Sequence, residues 1–220
     1  LEKLSLILNF KVSVISIDDF YLPSDEMDKE IKDNPWNVSR GFPGTHSIEL
    51  MHEKLIEWKQ TGVLNVPSFD KSLRSGLGDR SFWKKESPDL VILEGWFLGV
   101  KPIISSYLED EIYTLDLNNK EILYRERIQK KLEKYYDIWK LLDKLWHLKP
   151  ENFIYTNSWK LQQEKEMLEN KGVALSDKRL SDFLRMINVS LPHESFDQID
   201  SNVLLKINEK RKLVWVGLNN

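Results

Sequence analysis

Short apolar, β-branched runs alternate along this chain with longer stretches of helical periodicity. Val12–Ile17, Leu90–Leu93, Ile112–Leu117 and Val203–Ile207 are the runs that read as strands. Strands separated by helices imply parallel pairing with helical crossovers, the arrangement of an α/β fold. Leu213–Val216 reads as a return strand, a hairpin with Val203–Ile207 over the polar turn NEKRK. Ser47 is placed to cap a helix with Ile48, Met51, Leu55 and Trp58 at helical spacing, ended by Gly62. A longer amphipathic pattern runs from about Lys120 to Leu145. Another covers about Trp159 to Asn170 and stops at Gly172. Ser176 then caps a last helix through Met186. The apolar stripes of these helices are expected to be core.

Composition adds limits. With 220 residues, 41% hydrophobic and 30% charged, the chain (1–220) is expected to form one soluble domain. A net charge of −3 gives no basic footprint for nucleic acid or an anionic membrane. Lysine pairs such as Lys84-Lys85 and Lys130-Lys131 sit among glutamates and read as solvated faces. The absence of cysteine excludes disulfides and thiolate metal sites and is compatible with a cytoplasmic location. No apolar run in the sequence is long enough to span a bilayer as a helix.

Chemistry is expected at the strand ends. In open α/β sheets, ligands bind at the carboxyl ends of the strands. The first strand runs into Asp18 and Asp19, and DLVILEGW ends on Glu94. Acids so placed can hold magnesium or take a proton from a hydroxyl nucleophile. Taken singly, each also reads as a solvated turn residue; two in one sheet point to a shared site. VPSFDKSLRSGLGDR (66–80) packs Lys71, Arg74 and Arg80 around two glycines, a composition suited to an anion, although a charged surface loop has the same look. RGFPGTH (40–46) is a second loop of this kind, and its His46 reads equally as a surface histidine or a ligand contact.

IDDFYLP, RGFPGTHSIEL, VPSFDKSLRSGLGDR and VILEGWFLG stand in the order and at about the spacing seen in D-glycerate 3-kinases. LEKYYDIW, SWKLQQE, ALSDKRLSDFL and LPHESF extend the resemblance over nearly the whole chain. These are P-loop kinases related to uridine kinase, phosphoribulokinase and pantothenate kinase. The resemblance implies a parallel-sheet, P-loop NTPase-like three-layer sandwich and an ATP- and Mg2+-dependent transfer of phosphate to D-glycerate, giving 3-phosphoglycerate. It implies Asp18 as the base toward the acceptor hydroxyl, Asp19 as a support or metal-shell residue, and Glu94 as a contact to substrate or to magnesium-bound water. Arg40, His46, Lys71 and Arg80 become candidates for the glycerate carboxylate or the transferring phosphate, and Tyr21 for a pocket wall. For a lid cation it points to Lys160, where relatives tend to carry arginine, with Arg125 and Arg127 as alternatives that also read as solvated helix residues.

One departure matters. No segment reads G-x-x-x-x-G-K-[ST], the loop that cradles the nucleotide phosphates in such kinases. LEKLSLILNF resembles the tail of the helix that follows that loop. The expectation is therefore a chain that starts just after its nucleotide site, lacks the central strand between those ending at Glu94 and Leu117, and does not turn over ATP by itself. A kinase with another hydroxyl acceptor and a non-catalytic ATP- or metabolite-binding relative are the alternative readings.

Overall fold

The computed structural model describes residues 7, 9–103, 115–172 and 174–218. They fall into two compact units. The first takes the described residues up to Asp33 together with Ser39–Leu98 and Lys131–Leu141. The second takes Asn34–Val38, the described part of Gly99–Lys130, and the described residues from Leu142 onward.

In the first unit, β1 (Val12–Ser16) pairs in parallel with β2 (Leu90–Glu94), from Val12 opposite Leu90 to Ser16 opposite Glu94. The two acid-tipped strands are therefore neighbours and end together. Between them in sequence, α1 (Ser24–Glu30) and α2 (Ile48–Thr61) precede an antiparallel hairpin. Ile48, Met51 and Leu55, one face of α2, are buried as the periodicity predicts. Gly62 ends the helix in the left-handed region (φ 72°), its N–H donating to the Trp58 carbonyl at 2.7 Å. Ser47 makes no side-chain cap; its hydroxyl accepts instead from Arg80.

The hairpin corrects the reading of 66–80 as a loop. Here β3 (Leu64–Asp70) pairs antiparallel with β4 (Asp79–Glu86), with a register shift between Pro67 and Phe69. Only the tip between the strands is irregular. The other loop differs as well: Gly41 to His46 are all buried.

In the second unit, β5 (Trp146–Pro150) pairs in parallel with β6 (Val203–Ile207), which pairs antiparallel with β7 (Leu213–Leu218), the predicted hairpin. β5 was not expected; the helical pattern drawn to Leu145 ends at Trp139, closing α3 (Asn119–Trp139). α4 (Tyr155–Lys171) stops at Gly172, and α5 (Asp177–Val189) starts after Ser176, whose hydroxyl accepts from the Arg179 amide. A short α6 (His193–Asp197) follows. The apolar stripe of α4 is not core among the described residues: Leu161 and Leu168 are exposed. Most of the strand expected at Ile112–Leu117 lies outside the described residues, and Leu115 to Leu117 are not in a strand. Among the described residues the pairings make three separate sheets, β1–β2, β3–β4 and β5–β6–β7. No described helix is long and apolar enough to cross a membrane.

Candidate functional site

The chain leaves β1 through a short 3-10 turn, Ile17–Phe20, and local chemistry explains its two acids. The Ser16 hydroxyl accepts from the Asp18 amide at 3.2 Å, and Asp19 Oδ2 accepts from the Ser16 amide at 2.9 Å. This reciprocal cap fixes the turn. Asp19 is thus committed to the backbone. Ile17 and Phe20 are buried, and Asp18 stays partly exposed.

Two segments come to Asp18. The Leu22 amide donates to the Thr45 carbonyl at 3.0 Å and the Ser47 amide to the Phe20 carbonyl at 2.8 Å, bracketing Tyr21 opposite His46. Their rings stack with centroids 4.5 Å apart. His46 Nε2 lies 3.9 Å from Asp18 Oδ1, too long for a hydrogen bond but close enough for charge to be felt. From the hairpin tip, Lys71 Nζ donates to Asp18 Oδ2 at 2.7 Å. Burial raises the Asp18 pKa, but His46 and the Lys71 ammonium outweigh it and hold the carboxyl well below the usual carboxylate range. His46 is a buried residue, not a surface one. Burial lowers its pKa more than Asp18 restores, so the ring is neutral near pH 7. Tyr21, buried beside the Asp18 charge, has its pKa raised.

The two arginines of the motif loops pin this arrangement. Arg40 Nη1 donates to the Leu77 carbonyl at 2.6 Å and the Gly76 carbonyl at 3.2 Å, and its guanidinium sits 5.6 Å from the centre of the Phe69 ring. Arg80 Nε donates to the Tyr21 carbonyl at 3.1 Å and Nη2 to the Ser47 hydroxyl at 2.6 Å. Burial lowers the pKa of both, partly offset by nearby acidic groups. Gly78 (φ 80°) is required at the tip, because a Cβ there would collide with the Phe69 ring.

Asp18, Tyr21, Arg40, His46, Lys71 and Arg80 therefore belong to one connected cluster, and the exposed Glu94 leaves the same end of the same sheet. Two residues missed in the sequence complete it. Ser47 receives Arg80, and Tyr135 Oη lies 2.9 Å from both His46 Nδ1 and the Gly44 amide. The sequence signals for Tyr135 are its place in LEKYYDIW and a hydroxyl on an apolar stripe with Ile128, Leu132 and Ile138, all buried.

The lid candidates lie in the second unit. Lys160 pairs with Glu164 at 2.6 Å and faces the Phe183 ring at 5.0 Å. Arg127 stands 5.3 Å from the Tyr124 ring centre. Arg125 is 2% exposed. That corrects its reading as a solvated helix residue and removes it as a lid group, since a guanidinium packed inside its unit is not free to sweep over a ligand. Among the described residues no group of three or more His, Cys, Asp or Glu could hold a metal ion.

No protein-family model matches the chain. The chloroplastic D-glycerate 3-kinase of Arabidopsis thaliana is 35% identical over 187 residues, covering 79% of this chain and 39% of that protein. The uncharacterized kinase mug58 of Schizosaccharomyces pombe is 32% identical over 189 residues, covering 80% of this chain and 67% of that protein. The chain belongs to the family of D-glycerate 3-kinases and related kinases. The "Probable ATP-dependent kinase TDA10" of Saccharomyces cerevisiae, also 32% identical over 189 residues, is covered over 62% of its length. The chain thus spans well under half of the plant relative and about two thirds of the yeast ones. Among solved structures, a D-glycerate 3-kinase from Cryptococcus neoformans superposes with a TM-score of 0.86 at 27% identity, over 99% of this chain and 83% of that one. Phosphoribulokinase from Rhodobacter spheroides, at 12% identity and a TM-score of 0.51 over 94% of this chain and 64% of that one, shares the fold. The kinase-family chain is accordingly an α/β protein with parallel-sheet elements of the P-loop kinase type.

Proposed function

We propose that the cluster around Asp18 is the acceptor side of an ATP-dependent phosphotransferase whose substrate is D-glycerate and whose product is 3-phosphoglycerate. The observation that carries this reading is the carboxylate of Asp18 at a parallel strand end, paired through one oxygen to an exposed lysine. The D-glycerate 3-kinases among the chain's relatives support the transfer and the acceptor.

The Lys71 side chain is 57% exposed and that of Asp18 27%, so their ion pair is worth no more than about 1 kcal/mol. An arriving carboxylate can draw Lys71 away at little cost. Asp18 then loses the charge that suppresses its basicity and becomes a better proton acceptor. The hydroxyl oxygen of the acceptor bonds to the γ-phosphorus, its proton passes to Asp18 Oδ2, and the bond to the bridging oxygen breaks with the electron pair leaving on ADP. Arg40 and Arg80 hold the walls through the contacts described, and Tyr21 closes one side.

Magnesium fits as a nucleotide-borne ion held mainly by phosphate and water, with the exposed Glu94 carboxylate as its protein contact. When bound, it neutralises charge on the transferring phosphoryl group. No segment of these 220 residues supplies a Gly-rich Lys-Ser/Thr loop, and alone they are expected not to turn over ATP. A cytoplasmic location belongs to the same proposal.

The test is phosphate transfer from ATP by the native full-length polypeptide across a panel of D-glycerate, L-glycerate, uridine and pantothenate. Preference for D-glycerate with release of 3-phosphoglycerate supports the reading. Equal or better use of another acceptor, or no transfer to any, sinks it.

A further inference from the structure

Tyr135 has no part in the reaction as described, yet it is a buried hydroxyl among apolar neighbours. Its ring packs edge-on to Phe97, centroids 5.2 Å apart, and against Trp139 at 5.7 Å. Its oxygen is met by the Gly44 amide nitrogen and His46 Nδ1, each at 2.9 Å. A phenolic hydroxyl has one proton to give and lone pairs to receive. The Gly44 amide can only donate, so it occupies a lone pair. Of these two contacts, only Nδ1 can take the phenolic proton.

The reverse assignment, Nδ1–H donating to Oη, strands the phenolic proton in the interior without an acceptor, which buried hydroxyls avoid. With Nδ1 as acceptor, a neutral ring carries its proton on Nε2. That nitrogen is buried, has no hydrogen-bond partner, and faces Asp18 Oδ1 across 3.9 Å.

We infer that Tyr135 is a positioning residue that holds His46 as its Nε2–H tautomer, so that the imidazole presents a donor to Asp18 Oδ1 and leaves Oδ2 to receive the acceptor's proton. The two oxygens of Asp18 then have separate duties. Oδ2 sits on Lys71 until substrate draws the lysine away. A modest rotation of the carboxylate brings Oδ1 within reach of Nε2–H, which fixes the base in place. The inference rests on Asp18 acting as the acceptor-side base, but the tautomer itself does not depend on any ligand.

The experiment is a long-range 15N–1H correlation spectrum of the labelled protein. Its four histidines are distinguishable, and His46 is assigned by its loss in His46→Gln. The expected wild-type pattern is a protonated Nε2 and an unprotonated Nδ1. In Tyr135→Phe the tautomers mix. In the native full-length enzyme the same variant lowers kcat for D-glycerate by about ten- to a hundredfold with KM nearly unchanged. A wild-type spectrum with protonated Nδ1 overturns the inference, and so does a Tyr135→Phe protein with both tautomer and kcat unchanged. If Tyr135→Phe does not fold, the wild-type spectrum decides alone. Because that spectrum is recorded without nucleotide or acceptor, an Nε2–H pattern in a protein that ignores D-glycerate sinks the assigned substrate and leaves the tautomer standing.

Discussion

Of the carboxylates held below their ordinary pKa, Asp18 and Glu121, one in each unit, are held in opposite ways. Glu121 is buried, and every lone pair it offers is used. Its Oε1 accepts from Trp36 Nε1 at 2.9 Å and Arg185 Nε at 2.8 Å. Its Oε2 accepts from Arg185 Nη2 at 2.7 Å and from the Asn118 amide and side chain at 3.1 and 2.9 Å. Arg185 also donates to the carbonyls of Leu115 and Asp116. Asp18 has one direct cation, exposed to water, the neighbouring Tyr21 hydroxyl, and a histidine that stops short of it. A saturated network holds a fold together. A carboxylate whose one direct cation is exposed and can be displaced suits the proposed acceptor site.

Substitutions should separate the two, beginning with the largest effect. Asp18→Asn keeps the shape and removes the proposed base; kcat of the native full-length enzyme should fall about 10²- to 10⁴-fold, measured by coupled ADP release, while the stability lost at pH 7 should be no more than about 1 kcal/mol. The same variant has a pH signature. The unfolded Asp18 titrates near 3.8, and the folded one lies lower, so the unfolded chain binds more protons in between. The carboxylate's contribution to stability is thus complete above the ordinary range and is lost as pH falls through the native value. The gap in unfolding free energy between wild type and Asp18→Asn should be flat from pH 5 to 7 and should close below about pH 4.

Arg185→Leu should do the opposite. It leaves Glu121 buried without its cation and should cost about 2–3 kcal/mol in urea unfolding, less than for a fully buried pair. The reason is that the Arg185 side chain is 38% exposed. Acceptor affinity per folded molecule should stay the same. Gly78→Ala should cost about 1–2 kcal/mol, since it forces an alanine to φ 80° and displaces Phe69, on which Tyr21 and Arg40 rest. The smallest stability effect belongs to Lys71→Met, under about 1 kcal/mol, because its ion pair is exposed. Its signature is a raised KM for D-glycerate.

The contrast also explains what could be read from the sequence. β1, β2 and β6–β7 were legible because their apolar runs are short, β-branched and bounded by polar turns. α2 and α5 were legible from their periodicity and from Gly62 and Ser176. The β3–β4 hairpin was not: Pro67, two glycines and a dense set of charges look like a loop, and the bulge after Pro67 is what lets a proline stand in the pair. Asp18 and Glu94 were visible because an acid at the end of an apolar strand is a one-dimensional signal. The contact between His46 and Tyr135 was not, because 89 residues separate them and only the folded chain makes the hydroxyl meet the ring. Arg125 misled for a related reason, since a charged residue on a charged helix gives no sign that its side chain points inward.

The most direct test is a crystal structure of the protein with D-glycerate bound. The account expects the glycerate hydroxyl within hydrogen-bond distance of Asp18 Oδ2, its carboxylate on Lys71, and His46 Nε2 drawn to Oδ1. D-glycerate bound away from the 3-10 turn, with the Lys71–Asp18 pair still closed, would contradict it.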